Sequence, residues 1–223
     1  MEGFNLNSPW VIRTDVDWSR LKDIGTLKTF PKNTIIYTQN TQNPVFLIET
    51  GRVRISIFDE DGIEKTLGIV YENNIFGEFP AIDGENNFSA ATTIVPSKIH
   101  VIPQEKFIAA IITDTELYAQ VLKNLTRKIR ILSSQVQELS FLGSGARIAR
   151  ALYNLTIDQG ISENNGWVIP IKFTHQEMAD LVGTCRVTVS KVISTMIKTG
   201  VIVKEDGFYR VTDPHTLKDF GKP

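Results

Sequence analysis

Arg186, Thr188, Ser190 and Lys191 lie within one short stretch, and each can donate a hydrogen bond to a base edge or a phosphate. Val189, Val192, Ile193 and Met196 interleave with them at the spacing of one buried helical face. The polar set therefore shares the opposite, outward face. Just upstream, Thr174 and Glu177 have the spacing of a capping box, which starts a helix at His175-Gln176. Met178, Ala179, Leu181 and Val182 form its apolar side, and Gly183 permits the left-handed conformation that ends it. Either Thr184 or Cys185 opens the next helix. Two short helices around a tight turn, the second loaded with donors at its start, have the layout of a helix-turn-helix. The candidate DNA contacts are Thr174, His175, Gln176, Thr184, Arg186, Val187, Thr188, Ser190 and Lys191. The plain alternative is a helical hairpin without a ligand. The downstream residues favour DNA: Asp206-Gly207 between Val201–Val203 and Phe208–Val211 is a hairpin signal, and a hairpin there makes a wing.

Other chemistry is poorly supported. No Ser/His/Asp or Cys/His constellation points to an enzyme. His100, His175 and His215 lack metal-ligand spacing, so no metal site is expected. The single cysteine, Cys185, excludes an internal disulfide and is either a small packing residue or a redox switch. No apolar run approaches the roughly 18 residues of a membrane span. The start of the chain, with Glu2, Asp15 and Asp17, is not basic like a signal peptide. A cytoplasmic protein without a membrane partner is expected.

A net charge of −1 at first argues against a nucleic-acid partner. From Gly143 onward, however, ten basic residues face eight acidic ones, a surplus of two, against a deficit of three before it. The imbalance permits a local DNA-binding patch without demanding one.

The candidate helices need a scaffold. Residues 1–20 form a polar lead-in with one short helix. From Leu27 to Ile102 short β-rich runs alternate with turn signals: Lys28–Phe30, Thr34–Tyr37, Val45–Ile48, Arg52–Phe58, Glu64–Val70 and Lys98–Ile102. Val53, Ile55 and Ile57 are predicted inward. This spacing gives an antiparallel β-roll. From Thr115 to about Phe141 the pattern is one long helix. Its apolar positions Tyr118, Leu122, Leu125, Ile129, Leu132, Val136 and Leu139 repeat at intervals of four and three, an uninterrupted heptad seam. Lys123, Arg127, Lys128, Arg130, Gln135, Gln137 and Glu138 occupy the flanks. The stripe either packs on the chain's own roll or, the favoured reading, forms a parallel coiled coil with a second copy. Gly143-Ser-Gly145 reads as a hinge, Arg147–Ile157 as a helix, Asp158–Gly166 as a polar loop and Val168–Ile171 as a strand.

The fold class is therefore α+β, with boundaries at 1–114 for the roll, 115–142 for the dimerisation helix and 143–223 for the winged helix-turn-helix. This order resembles the cyclic-AMP receptor protein and FNR family of bacterial transcription regulators over nearly the whole chain. The resemblance rests on Asp61-Gly62, Ile75-Phe-Gly-Glu78 with Ser89-Ala90, Arg147-Ile148-Ala149, and Thr174 with Gln176-Glu177 through Val189-Ser190-Lys191. Similar patterns occur in the branch that senses halogenated aromatics in halorespiring bacteria.

The resemblance implies a roll with an effector-binding, cyclic-nucleotide-like site and a homodimer on a palindromic site in double-stranded DNA. The effector set would be Gly77, Glu78, Phe79, Phe88, Ser89, Ala90, Leu132 and Ser133. Family members that bind cyclic nucleotides place an Arg, which pairs with the phosphate, where this chain has Phe88, and a purine-contacting residue where it has Leu132. Losing that charge-assisted bond should cost about 1.5–3 kcal/mol. The cysteines of iron–sulfur sensors are missing, and His100 alone does not supply the haem ligands of the carbon-monoxide sensors. A small, partly apolar organic effector such as an aromatic acid fits better than cyclic AMP. The alternative is a filled roll in which Glu78 pairs with a basic neighbour. On the DNA side Val187 stands where many members have a Glu that accepts from cytosine; a valine touches a thymine methyl instead, so an A·T-richer half-site is expected. The loop Ile157–Trp167 is a candidate contact for RNA polymerase. A rival reading has the C-terminal part dock protein rather than DNA.

Overall fold

The computed structural model describes residues 10–220 apart from Asp15 and Asn164. The lead-in before Trp10, the acidic positions Glu2 and Asp15, and the basic Lys222 lie outside the described residues. The chain forms two compact units, residues 10–132 and 133–220, and the boundary falls inside its longest helix.

The first unit begins with β1 (Val11–Ile12), α1 (Ser19–Ile24), β2 (Thr26–Phe30) and β3 (Ile35–Tyr37). It continues through β4 (Val45–Thr50), β5 (Arg52–Phe58), β6 (Glu64–Tyr71), β7 (Ile75–Phe76) and α2 (Phe79–Asp83). The roll ends with β8 (Ala90–Thr93), β9 (Ser97–Ile102) and α3 (Gln104–Thr113). Two sheets enclose the core, ordered β1-β6-β5-β8-β3 and β2-β9-β4-β7. The β-rich runs identified in the sequence all become strands. The short strands β1, β7 and β8, and α2, carried no signal of their own. Two-residue strands have no periodicity, and Ala90-Ala-Thr-Thr93 is too small and polar to suggest burial. The lead-in helix falls later than expected, at Ser19–Ile24.

Along β5 the inward alternation fails after Ile55. A register shift between Ile55 and Ser56 turns Ser56 into the interior and leaves Ile57 half-buried. Ser56 donates to Glu64 at 2.6 Å, which satisfies the buried hydroxyl.

The long helix, α4, runs Thr115–Phe141 as expected. Asp114 caps it by accepting from the amides of Glu116 and Leu117, each at 3.1 Å. Arg20 pairs with Asp114 and Glu116 and anchors that cap to α1. The backbone amides and Arg20 hold the Asp114 carboxyl below its ordinary pKa.

α4 carries two stripes, not one. Leu117, Val121, Asn124, Lys128, Ile131, Gln135 and Glu138 are buried. Leu117 and Val121 join Phe107 and Leu21 in one cluster of the roll, and Ile131 joins Phe46 and Val53 in another. Lys128, Gln135 and Glu138 are thus interior residues rather than solvated flanks. The heptad seam lies outward: Tyr118, Leu122, Ile129, Leu132, Val136 and Leu139 are exposed, with Ile129 at 63% and Val136 at 62%. Leu125 alone turns partly into the roll's core. The roll does not cover this stripe, since it packs against the other face of α4.

The second unit continues with α5 (Ser144–Gln159), β10 (Ile161–Glu163), β11 (Gly166–Ile169), α6 (His175–Val182) and α7 (Arg186–Lys198). It ends with β12 (Ile202–Glu205), β13 (Phe208–Val211) and α8 (Pro214–Asp219). A sheet ordered β10-β11-β13-β12 supports the helices, so the expected polar loop is largely a hairpin. Ile148, Ala151 and Leu152 of α5 face the core with Met178, Val189, Ile193 and Met196. The expected glycine hinge is much reduced. The helical ladder breaks only at Leu142 and Gly143, while Gly145 sits inside α5. Gly143 has φ −64 and ψ 159, open to any residue, and an added Cβ would meet nothing within 4 Å.

Replacing Ile129 and Val136 together by Lys should leave the roll folded and convert a dimer to a monomer in sedimentation equilibrium. A dimer that survives both lysines would show that the exposed stripe is not the seam.

Candidate DNA-reading face and effector cavity

In the second unit the capping box forms as its spacing required: Glu177 donates its amide to Thr174 Oγ1 at 3.1 Å, and Thr174 returns its amide to Glu177 Oε2 at 2.7 Å. Thr174 is therefore occupied in holding α6. Gly183 ends that helix at φ 71, and Cys185, not Thr184, becomes the N-cap of α7. Within α6, Gln176 donates to Asp180 at 2.7 Å. His175 Nε2 lies 3.2 Å from the Tyr209 hydroxyl. Burial, Lys204 and Arg186 push the His175 pKa below its ordinary value.

Arg186, Val187 and Lys191 project from the first turns of α7 into solvent, Val187 with 62% of its surface exposed. Thr184, Thr188 and Ser190 are half-buried beside them. Cys185 is exposed; the hydroxyl of Thr188, 3.1 Å from its Sγ, and the amides opening α7 draw its thiol pKa down.

Two cations absent from the sequence-derived set lie at the wing, Lys204 on β12 and Lys172 in the segment before α6. Lys172 lies over the Phe208 ring at 4.6 Å and Lys204 over Tyr209 at 5.5 Å, with Tyr209 itself stacked on Phe173 at 5.1 Å. The turn between these strands is Asp206-Gly207, both at positive φ (50 and 83), as the hairpin signal required. The signal that could have located them is a lysine on either side of the helix-turn-helix, with the aromatic pair Phe208-Tyr209 following in the hairpin.

In the first unit a cavity of about 40 Å³ opens between the sheets and α4. Gly77, Phe79, Phe88, Ser89 and Leu132 line it, as the sequence suggested. Ala90 is buried in β8 away from its wall, and Ser133 faces solvent. Tyr37, Phe76, Lys128 and Ile131 also line it, with Ile12, Ile55 and Leu67. They escaped notice because strand spacing does not reveal which strands share a cavity. Gly77 is required where it stands: its φ is 72, and a Cβ would lie 2.7 Å from Asn43 Nδ2.

Glu78 is fully buried behind the cavity wall. Lys128 donates to its Oε1 at 2.5 Å and to the Ile75 carbonyl at 3.2 Å, while Glu78 Oε2 has no hydrogen-bond partner. The basic neighbour anticipated for Glu78 is thus Lys128, across the roll on α4. Phe88, at the position of the missing arginine, is 47% exposed and packs edge-to-face on Phe79 at 5.1 Å. Burial raises the Tyr37 phenol above its ordinary pKa, and Ser89 hydrogen-bonds to it. Forty Å³ holds about three waters, far below the roughly 300 Å³ at the lower end of ligand sites. A ligand must therefore displace side chains to enter, and Phe88, half in solvent, is held least.

Lys128→Met should cost about 3–5 kcal/mol in urea unfolding, because it leaves a buried carboxylate without its counter-ion. Pairing it with Glu78→Leu should recover most of that loss. A single variant as stable as the parent would show that Glu78 is not buried as a charge.

Comparison with known proteins agrees with both units. Residues 27–114 match the cyclic nucleotide-binding domain family and residues 146–220 the Crp-like helix-turn-helix domain family. A global nitrogen regulator of Synechococcus elongatus is 28% identical over 82% of this chain and 84% of its own length. A CRP-like cAMP-activated global transcriptional regulator of Mycobacterium tuberculosis is 26% identical over 84% of each. Among solved structures, the c-di-GMP-responsive global regulator CLP of Xanthomonas campestris superposes with a TM-score of 0.78 at 20% identity, covering 87% of this chain and 97% of that one. At that identity it shares the fold.

Proposed function

This chain belongs to the CRP/FNR family of transcription regulators, and on that footing we propose that it binds a palindromic DNA site as a homodimer and is tuned by a small aromatic anion rather than by cyclic AMP. The observation that carries the DNA reading is the open start of α7, where Arg186, Val187 and, one turn on, Lys191 are exposed. The exposed seam of α4 supports pairing of two such helices. The two recognition helices must then reach successive major grooves about 34 Å apart. Lys204 on the wing and Lys172 beside it add phosphate contacts. Such a regulator works where the DNA is, in the cytoplasm, and the β10–β11 hairpin is the surface offered to RNA polymerase.

Arg186 and Lys191 can donate to guanine or phosphate, whereas Val187 offers only an apolar contact to a thymine methyl. Selection from random duplexes should return a palindrome whose key half-site position is A·T; recovery of G·C there would overturn this assignment. Replacing Arg186 and Lys191 by Ala should lower affinity and reduce the salt slope by about 1 for each phosphate left unneutralised. An unchanged salt slope would favour the protein-docking reading.

The effector reading rests on the cavity. The related regulators include one described as cAMP-activated and one as c-di-GMP-responsive, so the family alone does not fix the ligand. Here the wall is aromatic and aliphatic, and its one cation is Lys128. With Phe88 displaced, a flat ring can enter beside Phe79 and Leu132, and its carboxylate can accept the Lys128 N–H that is not given to Glu78 or Ile75. Titration calorimetry should detect substituted benzoates and phenylacetates, with a matching change in gel-shift affinity, and no heat from cyclic AMP. Cyclic AMP binding more tightly than every acid tested would remove this reading.

A further inference from the structure

The Arg147 side chain makes three hydrogen bonds, all to main-chain carbonyls. Nε donates to Val182 at 2.9 Å, Nη2 to Gly183 at 2.9 Å and Nη1 to Leu142 at 2.8 Å. Among the described residues no carboxylate pairs with it. Val182 and Gly183 form the end of α6 and the turn into α7, where carbonyls lack helical partners. Leu142 is the first residue beyond α4. One guanidinium therefore joins the exit of the long helix to the turn that aims the recognition helix. A second tie lies beside it: Arg150 on α5 pairs with the buried Glu138 on α4 at 3.1 Å. These contacts bypass Gly143, whose backbone could otherwise swivel.

We propose that Arg147 is the positioning residue of DNA binding. By holding Leu142, Val182 and Gly183 on one rigid fork, it makes the last turn of α4, α5 and the α6–α7 turn a single body. The direction of α7 is then set by the direction in which α4 ends. Arginine is required because its planar fork bonds in divergent directions at once; a lysine ammonium on a flexible stem keeps the charge but not the bridge. The idea rests on the homodimeric DNA reading above. Its particular consequence is for a palindrome: two recognition helices can engage together only if each is held at a fixed angle to the shared α4 seam. A single half-site makes no such demand.

The experiment compares affinities for a selected palindrome and for a duplex holding one half-site, using the full-length protein. Arg147→Met should weaken the palindrome at least tenfold and the half-site less than threefold, with Arg147→Lys in between. Gly143→Ala, which meets nothing within 4 Å, should change the ratio of the two affinities less than twofold. Sedimentation confirms that each variant is still a dimer, and loss of dimer or of half-site binding in the parent would count against the premise rather than the clamp. Equal losses on both duplexes would make Arg147 a local support of the helix-turn-helix and overturn the proposal. So would a Gly143→Ala ratio shift as large as that of Arg147→Met. Should Arg147→Met fail to melt cooperatively, Arg147→Lys carries the same comparison, and a parental ratio for it overturns the proposal too.

Discussion

One helix carries both the face that closes its own fold and a second, exposed apolar stripe. α4 spans 27 residues, and a helix with 3.6 residues per turn can present two separate stripes over that length. The inner stripe closes two clusters of the roll through Leu117, Val121 and Ile131. The outer one leaves Ile129, Leu132 and Val136 in solvent. Neither stripe can rotate without displacing the other, so the register of α4 on the roll also fixes the register of the seam. The cavity and the buried charge pair both hang on that register.

The inner stripe is unusually polar for a core face. Lys128 sits among aromatics and branched aliphatics because Glu78, fully buried on the loop before α2, needs a counter-charge. Such a pair is costly to bury and contributes little net stability, but it becomes expensive once one partner is removed. The pair therefore ties α4 to the segment before α2, since neither partner can leave the other without that cost. Phe88 contributes by what it lacks: an aromatic ring at the mouth cannot hold a phosphate, so the only cation lining the cavity is the one on the helix that leaves it.

In the winged unit, side chains that look as if they read DNA divide into those that hold the frame and those left free. Thr174 and Gln176 are engaged in α6 by Glu177 and Asp180, and His175 leans on Tyr209. Arg186, Val187 and Lys191 remain open, and Lys172 and Lys204 stand on aromatic rings of the wing. Rigid support behind and free donors in front are what a surface needs to meet a duplex without first reorganising.

The local features were legible in the residues themselves. The capping box at Thr174, the left-handed stop at Gly183, the Asp206-Gly207 turn and the long helix from Thr115 to Phe141 depend on spacing and backbone preference within a few residues, and each appears where its pattern put it. What the chain could not disclose alone was which distant groups meet. Lys128 reads as a solvated flank until the roll places Glu78 opposite it, fifty residues earlier in sequence. Gly143-Ser-Gly145 reads as a free hinge until Arg147 is seen to tie Leu142 to Val182 and Gly183. The bulge that turns Ser56 inward is likewise set by its partner strand. Periodicity says which face of an element is buried; only the packed fold decides what that face is buried against, and electrostatic partners are chosen at that second step.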